Sequence, residues 1–247
     1  MTLQEFFKQN NKVAIAFSGG VDSAYLLYEA KKNNAQVKAY YVKSEFQPEF
    51  ELNDAKKIAA LTKSELKVIS CSVLSENEIC SNPENRCYFC KKKIFSVILQ
   101  VAIKDGFSVL LDGTNASDKI EARPGMKALT EMKVLSPFRM CNLTKEQIRQ
   151  HSKEAGLFTW NKDSYSCLAT RIPTNTKITQ EDLFRIEKGE GELFDLGFSD
   201  FRIRLFHNAA RIQLKETQFE KAMIMKNTIV EKLSVFFDGV FLDLQSR

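Results

Sequence analysis

The sequence predicts an α/β fold: a parallel-sheet domain covered by helices over residues 1–165, followed by a small α+β domain over residues 166–247. Three observations point there. Short apolar runs alternate with amphipathic ones up to about residue 160, the pattern of strands joined by crossover helices. One of those runs ends in Ser18-Gly19-Gly20 and feeds directly into a helical pattern. Beyond about residue 180 the order becomes helix, two alternating strands, helix and strand.

Val13 to Phe17 is a compact apolar run, hence a buried strand, and Asp22 to Lys32 follows with Ala24, Leu26, Leu27 and Ala30 near helical spacing. Val37 to Val42 is a second strand. Glu49 to Thr62 is a helix with Leu52, Ala55, Ile58 and Ala59 on one side, and Leu66 to Ser70 a third strand. Cys90 to Lys104 reads as a helix, and Ser108 to Leu111 as a fourth strand entering Asp112-Gly113-Thr114-Asn115. Thr144 to Ala155 is a helix opened by a Thr144/Gln147 capping box and stopped at Gly156. Asn161 to Thr179 is polar, contains Pro173, and reads as a linker or active-site loop. Gln180 to Leu196 is a helix, Phe201 to Leu205 and Ala210 to Leu214 form a hairpin about His207-Asn208, and a helix from Thr217 to Leu233 precedes a strand near Val235 to Leu244.

Composition bounds the function. The 247 residues are 44% hydrophobic and 27% charged, values that disfavour disorder, collagen and coiled coil. No apolar run approaches the ~20 residues of a membrane span, and MTLQEFFKQNNK lacks the apolar core of a secretory leader. Six cysteines in that context are expected to be reduced thiols of a cytoplasmic protein. A net charge of +5 permits an anionic ligand without singling out nucleic acid.

Ser18-Gly19-Gly20-Val21-Asp22-Ser23 is the most informative stretch. Paired glycines let the backbone turn sharply and converge several N–H groups. The helix behind them offers unpaired donors and a positive dipole end. Ser18 and Ser23 add hydroxyls, and Asp22 is placed to hold magnesium. Such an assembly suits a phosphate or pyrophosphate. It is not the Walker loop, because no Gly-Lys-Ser/Thr follows. The hexapeptide resembles the SGGxDS loop of the PP-loop ATP pyrophosphatase superfamily (adenine nucleotide alpha hydrolase-like fold), whose members cleave ATP between the α and β phosphates. That resemblance places adenine near Ala16, Val42 and Lys43, with ATP contacts from Ser18, Gly19, Gly20, Asp22 and Ser23, and closes Gly113 and Thr114 over the nucleotide. An ordinary turn explains Asp112 to Asn115 equally well.

Cys87-Tyr88-Phe89-Cys90, flanked by Arg86 and Lys91 to Lys93, is a CxxC that can grip a metal or cluster or form a redox pair. Zinc would need further ligands, and only His151 and His207 are on offer outside the cysteines; both read as structural. Cys167 stands in the polar stretch four residues before Arg171. Cys71, Cys80 and Cys141 read as ordinary residues, and Trp160, beside the polar stretch, as packing or as a platform for substrate stacking. On the hairpin, Arg202 and Arg204 share a strand face and Arg211 follows on the partner strand; they suit a substrate phosphate or a solvated outer face.

Taken in order, Ser18 to Ser23, Arg86 to Lys91, Asp112 to Asn115, Arg123 to Gly125, Ser136 to Arg139, Thr144 to Arg149 and Ser166 to Arg171 resemble the motifs of the LarE family, ATP-dependent sulfur transferases of nickel-pincer nucleotide biosynthesis. The resemblance implies adenylation of a carboxylate of pyridinium-3,5-biscarboxylic acid mononucleotide, then replacement of AMP by sulfur. It implies Mg2+ and ATP, a small nucleotide substrate held by Thr170, Arg171, Glu190, Arg202, Arg204 and Arg211, and a homo-oligomer, a hexamer. The family takes sulfur either from one cysteine at the position of Cys167, leaving dehydroalanine, or from a [4Fe-4S] cluster on three cysteines. Cys87, Cys90 and Cys167 together favour the cluster, since three thiolates leave one iron open. Gln213 stands where the family often has an acidic residue, which argues against a metal there. Rival readings are tRNA thiolation, an amidating ligase like NAD synthetase, and a non-enzymatic cluster-binding protein.

Overall fold

The computed structural model describes residues 1–119 and 124–247, so Arg123 of the expected Arg-Pro-Gly motif lies outside the described residues. They form two compact units: Met1–Val73 with Asn85–Lys162, and Leu74–Glu84 with Asp163–Arg247.

In the first unit, α1 (Leu3–Gln9) precedes β1 (Lys12–Ala16), α2 (Val21–Lys32), β2 (Gln36–Lys43), α3 (Glu49–Leu61) and β3 (Glu65–Ser70). After the excursion that contains α4 (Asn77–Cys80), the unit resumes with α5 (Arg86–Lys104), β4 (Leu110–Leu111), α6 (Pro124–Glu131), α7 (Pro137–Met140) and α8 (Lys145–Glu154). The strands form a parallel sheet in the order β3-β2-β1-β4. Their apolar residues point alternately to two cores, which is why the strands read as continuous apolar runs. Val13, Ile15, Ala39 and Tyr41 face one side with α1, α2, α3 and α8; Ala14, Tyr40, Val42 and Leu110 face the other with α5 and α6. The chain runs from β1 outward to β3, then returns to β4 on the opposite flank of β1. The order therefore reverses between β1 and β4, and in open α/β sheets ligands bind outside the strand C-termini at such a point.

Four differences from the sequence reading have local causes. The helix expected from Cys90 begins at Arg86, so Cys87 and Cys90 both lie on its first turns rather than ahead of it. The fourth strand keeps its expected end at Leu111 but starts only at Leu110; just ahead of it Phe107 N–H is still held by Ala102 O of α5. An unpredicted α1 forms on a Thr2/Glu5 capping box and buries Phe6 and Phe7. Asn161 to Thr179 is no open linker: it carries a 3₁₀ turn at Leu168–Arg171 and buries Leu168, Ala169, Arg171, Ile172 and Ile178.

In the second unit, α9 (Gln180–Asp195), the antiparallel hairpin β5 (Arg202–Phe206) and β6 (Ala209–Gln213), α10 (Phe219–Ile224), α11 (Lys226–Leu233) and β7 (Val240–Leu242) follow one another. β7 pairs parallel with β6. Gly189 lets α9 press on this layer, since a Cβ there would stand 2.8 Å from the Phe237 ring and 3.0 Å from Ile203. The single helix expected over 217–233 breaks at Met225; Asn227 and Thr228 suit a helix start better than a helix interior. Residues 74–84 pack here and not with the sheet that precedes them. Buried Asn82 donates its amide to Pro173 O at 2.8 Å and Ile172 O at 3.3 Å, while Asn175 N–H donates to Asn82 O and Ile178 N–H to Cys80 O. Cys80 ends a helical turn and is buried there with Ile79. Among the described residues, no helix is long and apolar enough to cross a membrane.

Candidate functional site

The glycine loop sits at the C-terminal end of β1, beside the switch point. Gly19 has φ +73°, and a Cβ on it would lie 2.9 Å from Ala55 N. Only glycine combines that dihedral with so close a backbone approach. Gly20 N-caps α2 and brings no side chain to the first-turn N–H groups, which leaves them for a ligand. The loop is braced by its own hydroxyls: Ser23 Oγ accepts from Ser18 N–H at 3.3 Å, donates to Gly20 O at 3.3 Å and lies 3.1 Å from Ser18 Oγ. Ser18 is exposed, Asp22 half-buried and Ser23 buried.

The second loop faces the first. Gly113 packs so tightly that a Cβ would stand 3.0 Å from Asp22 Cβ and 3.1 Å from Ser23 N. Asn115 donates to Asp22 Oδ1 at 3.2 Å, and the Lys145 ammonium, at the first position of α8, donates to Asp22 Oδ2 at 2.5 Å. Asp112 accepts from Thr114 Oγ1 at 2.5 Å and Ser136 Oγ at 2.6 Å, fixing the turn from within. Asp112 to Asn115 is thereby tied to the glycine loop, which an ordinary turn has no reason to be. Ala16 ends β1, and Val42 and Lys43 end β2, so all three lie on the same sheet edge. Lys43 is engaged locally, donating to Gln47 O at 2.5 Å and pairing with Glu49 at 3.2 Å.

Cys87, exposed, and Cys90, half-buried, stand one helical turn apart and so share a face of α5. Arg86 Nη2 lies 3.8 Å from Cys87 Sγ. No cysteine of the described residues forms a disulfide. The pair fits two corners of an iron–sulfur cluster in donor chemistry and spacing, and Cys167 offers a third thiol of the same kind. Cys167 belongs to the second unit, and among the described residues no group of three His, Cys, Asp or Glu side chains is gathered to hold a metal.

In the second unit, Arg171 is fully buried and pairs bidentately with buried Glu190, Nε–Oε1 2.9 Å and Nη2–Oε2 3.0 Å. Burial lowers the affinity of this guanidinium for its proton, but Glu190 outweighs it and raises the pKa overall. Tyr165 donates to Glu190 Oε2 at 2.5 Å, its ring packed by Arg171 at 4.4 Å and Arg202 at 5.2 Å. Arg202 donates to Phe201 O and Ser164 O, both at 2.6 Å; burial, with Arg171 and Arg247 nearby, brings its pKa down to about 10. Arg204 is likewise lowered by burial, then by Arg171 and Arg211. It donates to Thr170 O at 2.7 Å and Gln213 Oε1 at 2.5 Å, and Gln213 passes the chain to Asp243 at 2.9 Å. Arg211 stands opposite Arg204 in the ladder with its Nε 3.5 Å from Asp243. The face is thus short of negative charge, which suits an anion.

Residues 12–86 match the family described as queuosine biosynthesis protein QueC. An uncharacterized protein of Synechocystis is 34% identical over 98% of this chain and 92% of its own length. The pyridinium-3,5-bisthiocarboxylic acid mononucleotide synthase of Lactiplantibacillus plantarum is 29% identical over 98% of this chain and 89% of its own. The chain belongs to the LarE family of PP-loop, ATP-dependent sulfur transferases. The tRNA-specific 2-thiouridylase MnmA of Pseudothermotoga lettingae is 29% identical over 74% of this chain and 58% of its own length.

Within this LarE-family chain, the sequence-derived nucleotide residues converge on one edge of the first unit, and those assigned to substrate converge on the hairpin face of the second. Lys145 and Tyr165 are additions that the sequence reading lacks. Lys145 lies inside the Thr144 to Arg149 motif, but its partner Asp22 is 123 residues away, so the motif alone gives it no role. His151 stacks on Tyr25, ring centroids 5.9 Å apart, and His207 takes a left-handed turn position in the hairpin, so both serve structure.

Proposed function

We propose that this LarE-family protein makes a thiocarboxylate from pyridinium-3,5-biscarboxylic acid mononucleotide. The observation that carries the reading is a phosphate cradle at the sheet switch point in a chain that also carries the Cys87, Cys90 and Cys167 set. The loop N–H groups of Gly19 to Asp22 hold the β and γ phosphates of ATP, and Ser18 and Ser23 add hydroxyl donors. Lys145 turns from Asp22 to the phosphates as ATP arrives, supplying the cation a Walker lysine provides elsewhere, and Asp22 is then free to hold Mg2+. A substrate carboxylate oxygen attacks the α-phosphorus, the α–β bridging bond breaks, and pyrophosphate leaves into the cradle. Arg202, Arg204 and Arg211 hold the substrate's phosphate. Sulfur then attacks the acyl carbon and AMP leaves with the bonding electrons.

A [4Fe-4S] cluster on Cys87, Cys90 and Cys167 supplies an expendable sulfide when bound. The backbone bonds that hold Cys167 individually, from Thr170 and Arg171, favour a second source, the sulfur of Cys167 itself, with elimination leaving dehydroalanine. Anaerobic purification with iron and sulfide analysis separates the two. Iron lost in Cys87→Ala, Cys90→Ala and Cys167→Ala supports the cluster; iron unchanged in all three refutes it. Loss of the mass of one hydrogen sulfide from Cys167 after a single turnover of iron-free protein establishes the sacrificial route. Thiolation of tRNA in place of the mononucleotide would overturn the substrate assignment, and ATP failing to bind the loop would favour a non-enzymatic protein.

A further inference from the structure

Arg171 and Glu190 are closed off from a substrate, with side-chain exposures of 0% and 1%. A guanidinium carries five N–H donors in a fixed fork. Nε and one Nη2 hydrogen go to Glu190, and the second Nη2 hydrogen has no solvent-exposed surface behind it. Nη1 donates to Ser166 O at 2.6 Å, Thr170 Oγ1 at 2.9 Å, Ser166 Oγ at 3.0 Å and Cys167 O at 3.2 Å. Tyr165 covers the guanidinium face, and the side chain has no exposed surface. Glu190 is equally committed: beyond the two arginine bonds, Oε1 accepts from Ile203 N–H at 2.9 Å and Oε2 from Tyr165.

We infer that Arg171 and Glu190 are positioning residues that clamp the Cys167 loop, and that neither touches the substrate. Glu190 is anchored on α9 and bonded to the backbone of β5, the rigid layer of the unit. It fixes Arg171, and Arg171 gathers the carbonyls of Ser166 and Cys167 around its Nη1. Thr170 completes the wrap, its N–H and Oγ1 both donating to Cys167 O, at 3.0 and 2.8 Å. The half-buried thiol of Cys167 is thereby presented from a backbone held on both sides. Group transfer is sensitive to misplacement on the ångström scale, so a sulfur-bearing residue on a loop needs such support. Only the kinetic part of the test rests on the sulfur-transfer reading.

Arg171→Lys keeps the charge, but one ammonium cannot serve Glu190 and the loop carbonyls together. Amide hydrogen exchange of residues 166–171 is expected to rise by about tenfold or more, with residues 18–23 unchanged. Iodoacetamide labelling of Cys167, read by peptide mass spectrometry, is expected to rise several-fold while Cys87 is unaffected. With ATP and pyridinium-3,5-biscarboxylic acid mononucleotide, kcat is expected to fall by about tenfold or more. KM for each should stay within about twofold. Tyr165→Phe, which removes only the hydroxyl on Glu190, should move every readout the same way by less, and it decides the matter if the lysine variant does not fold. A raised KM for the mononucleotide with kcat retained would place Arg171 on the substrate and overturn the inference, as would unchanged exchange and labelling. Absence of all activity on the mononucleotide would strike the substrate reading alone, since exchange and labelling need no substrate.

Discussion

Replacing Gly19 by alanine separates backbone strain from close contact. An L-residue at φ +73° costs roughly 1–2 kcal/mol. The added Cβ would also stand 2.9 Å from Ala55 N, 3.0 Å from its Cα and 3.1 Å from its Cβ, all on a rigid helix. Overpacking of that kind costs about 1–3 kcal/mol. Gly156 is the natural control: its φ is +70°, but nothing lies within 4 Å of where a Cβ would go. Gly156→Ala therefore carries the dihedral cost alone, and Gly19→Ala is expected to be less stable by about 1–3 kcal/mol, several degrees in Tm. If the loop shifts to relieve the contact, its N–H groups move with it and ATP affinity falls instead. Thermal melts and ATP calorimetry on both variants distinguish these outcomes. A Gly19→Ala protein that melts with Gly156→Ala and binds ATP like the parent would refute the cradle as described.

Lys145→Met should weaken ATP binding by roughly 10- to 100-fold in calorimetry, the worth of a hydrogen bond to a charged partner, with adenosine binding unchanged. Glu190→Ala should destabilise the protein by about 3–5 kcal/mol in urea unfolding, because Arg171 is left buried without a counter-charge. Asp105, hydrogen-bonded by Lys67 and Lys38, has its pKa lowered to about 2. A depressed carboxylate stabilises the fold above its unfolded pKa of about 3.9, and that stabilisation is lost as pH falls toward 2. Asp105→Asn should therefore show a flatter fall in stability than the parent between pH 4 and 2 in acid titrations followed by circular dichroism.

The strands are legible because a sheet covered on both faces needs unbroken apolar runs, and Val13 to Phe17 is one. The glycine loop is legible because its chemistry is local, six residues bending one backbone. Lys145 is not, since its meaning lies in a carboxylate on another helix. Arg171 and Glu190 are named together only through the family resemblance; that they pair and are buried, nineteen positions apart, is not legible in either residue's own surroundings. The first turn of α5 is missed by four residues because Pro83-Glu84-Asn85 reads as more loop, and it ends in the N-cap residue. Capping at Thr2 and Glu5 is present in the sequence and suffices to suggest α1. The end of β4 at Leu111 is legible, but its start lies two residues later than the apolar run suggests.

The excursion at Leu74–Glu84 means that the backbone passes between the two units three times, after Val73, after Glu84 and after Lys162. No single cut releases either unit whole. A protease acting near Lys162 would leave two fragments that still share a fold, co-migrating until denatured. A gene truncated there would encode a sheet unit bearing an orphaned segment, with Asn82 deprived of the Ile172 and Pro173 carbonyls it was built to meet. By the same token a single recombination event cannot transplant the second unit onto another nucleotide-binding partner. Such a chain is inherited as one piece, and its CxxC helix, resuming at Asn85, starts directly where the borrowed segment ends.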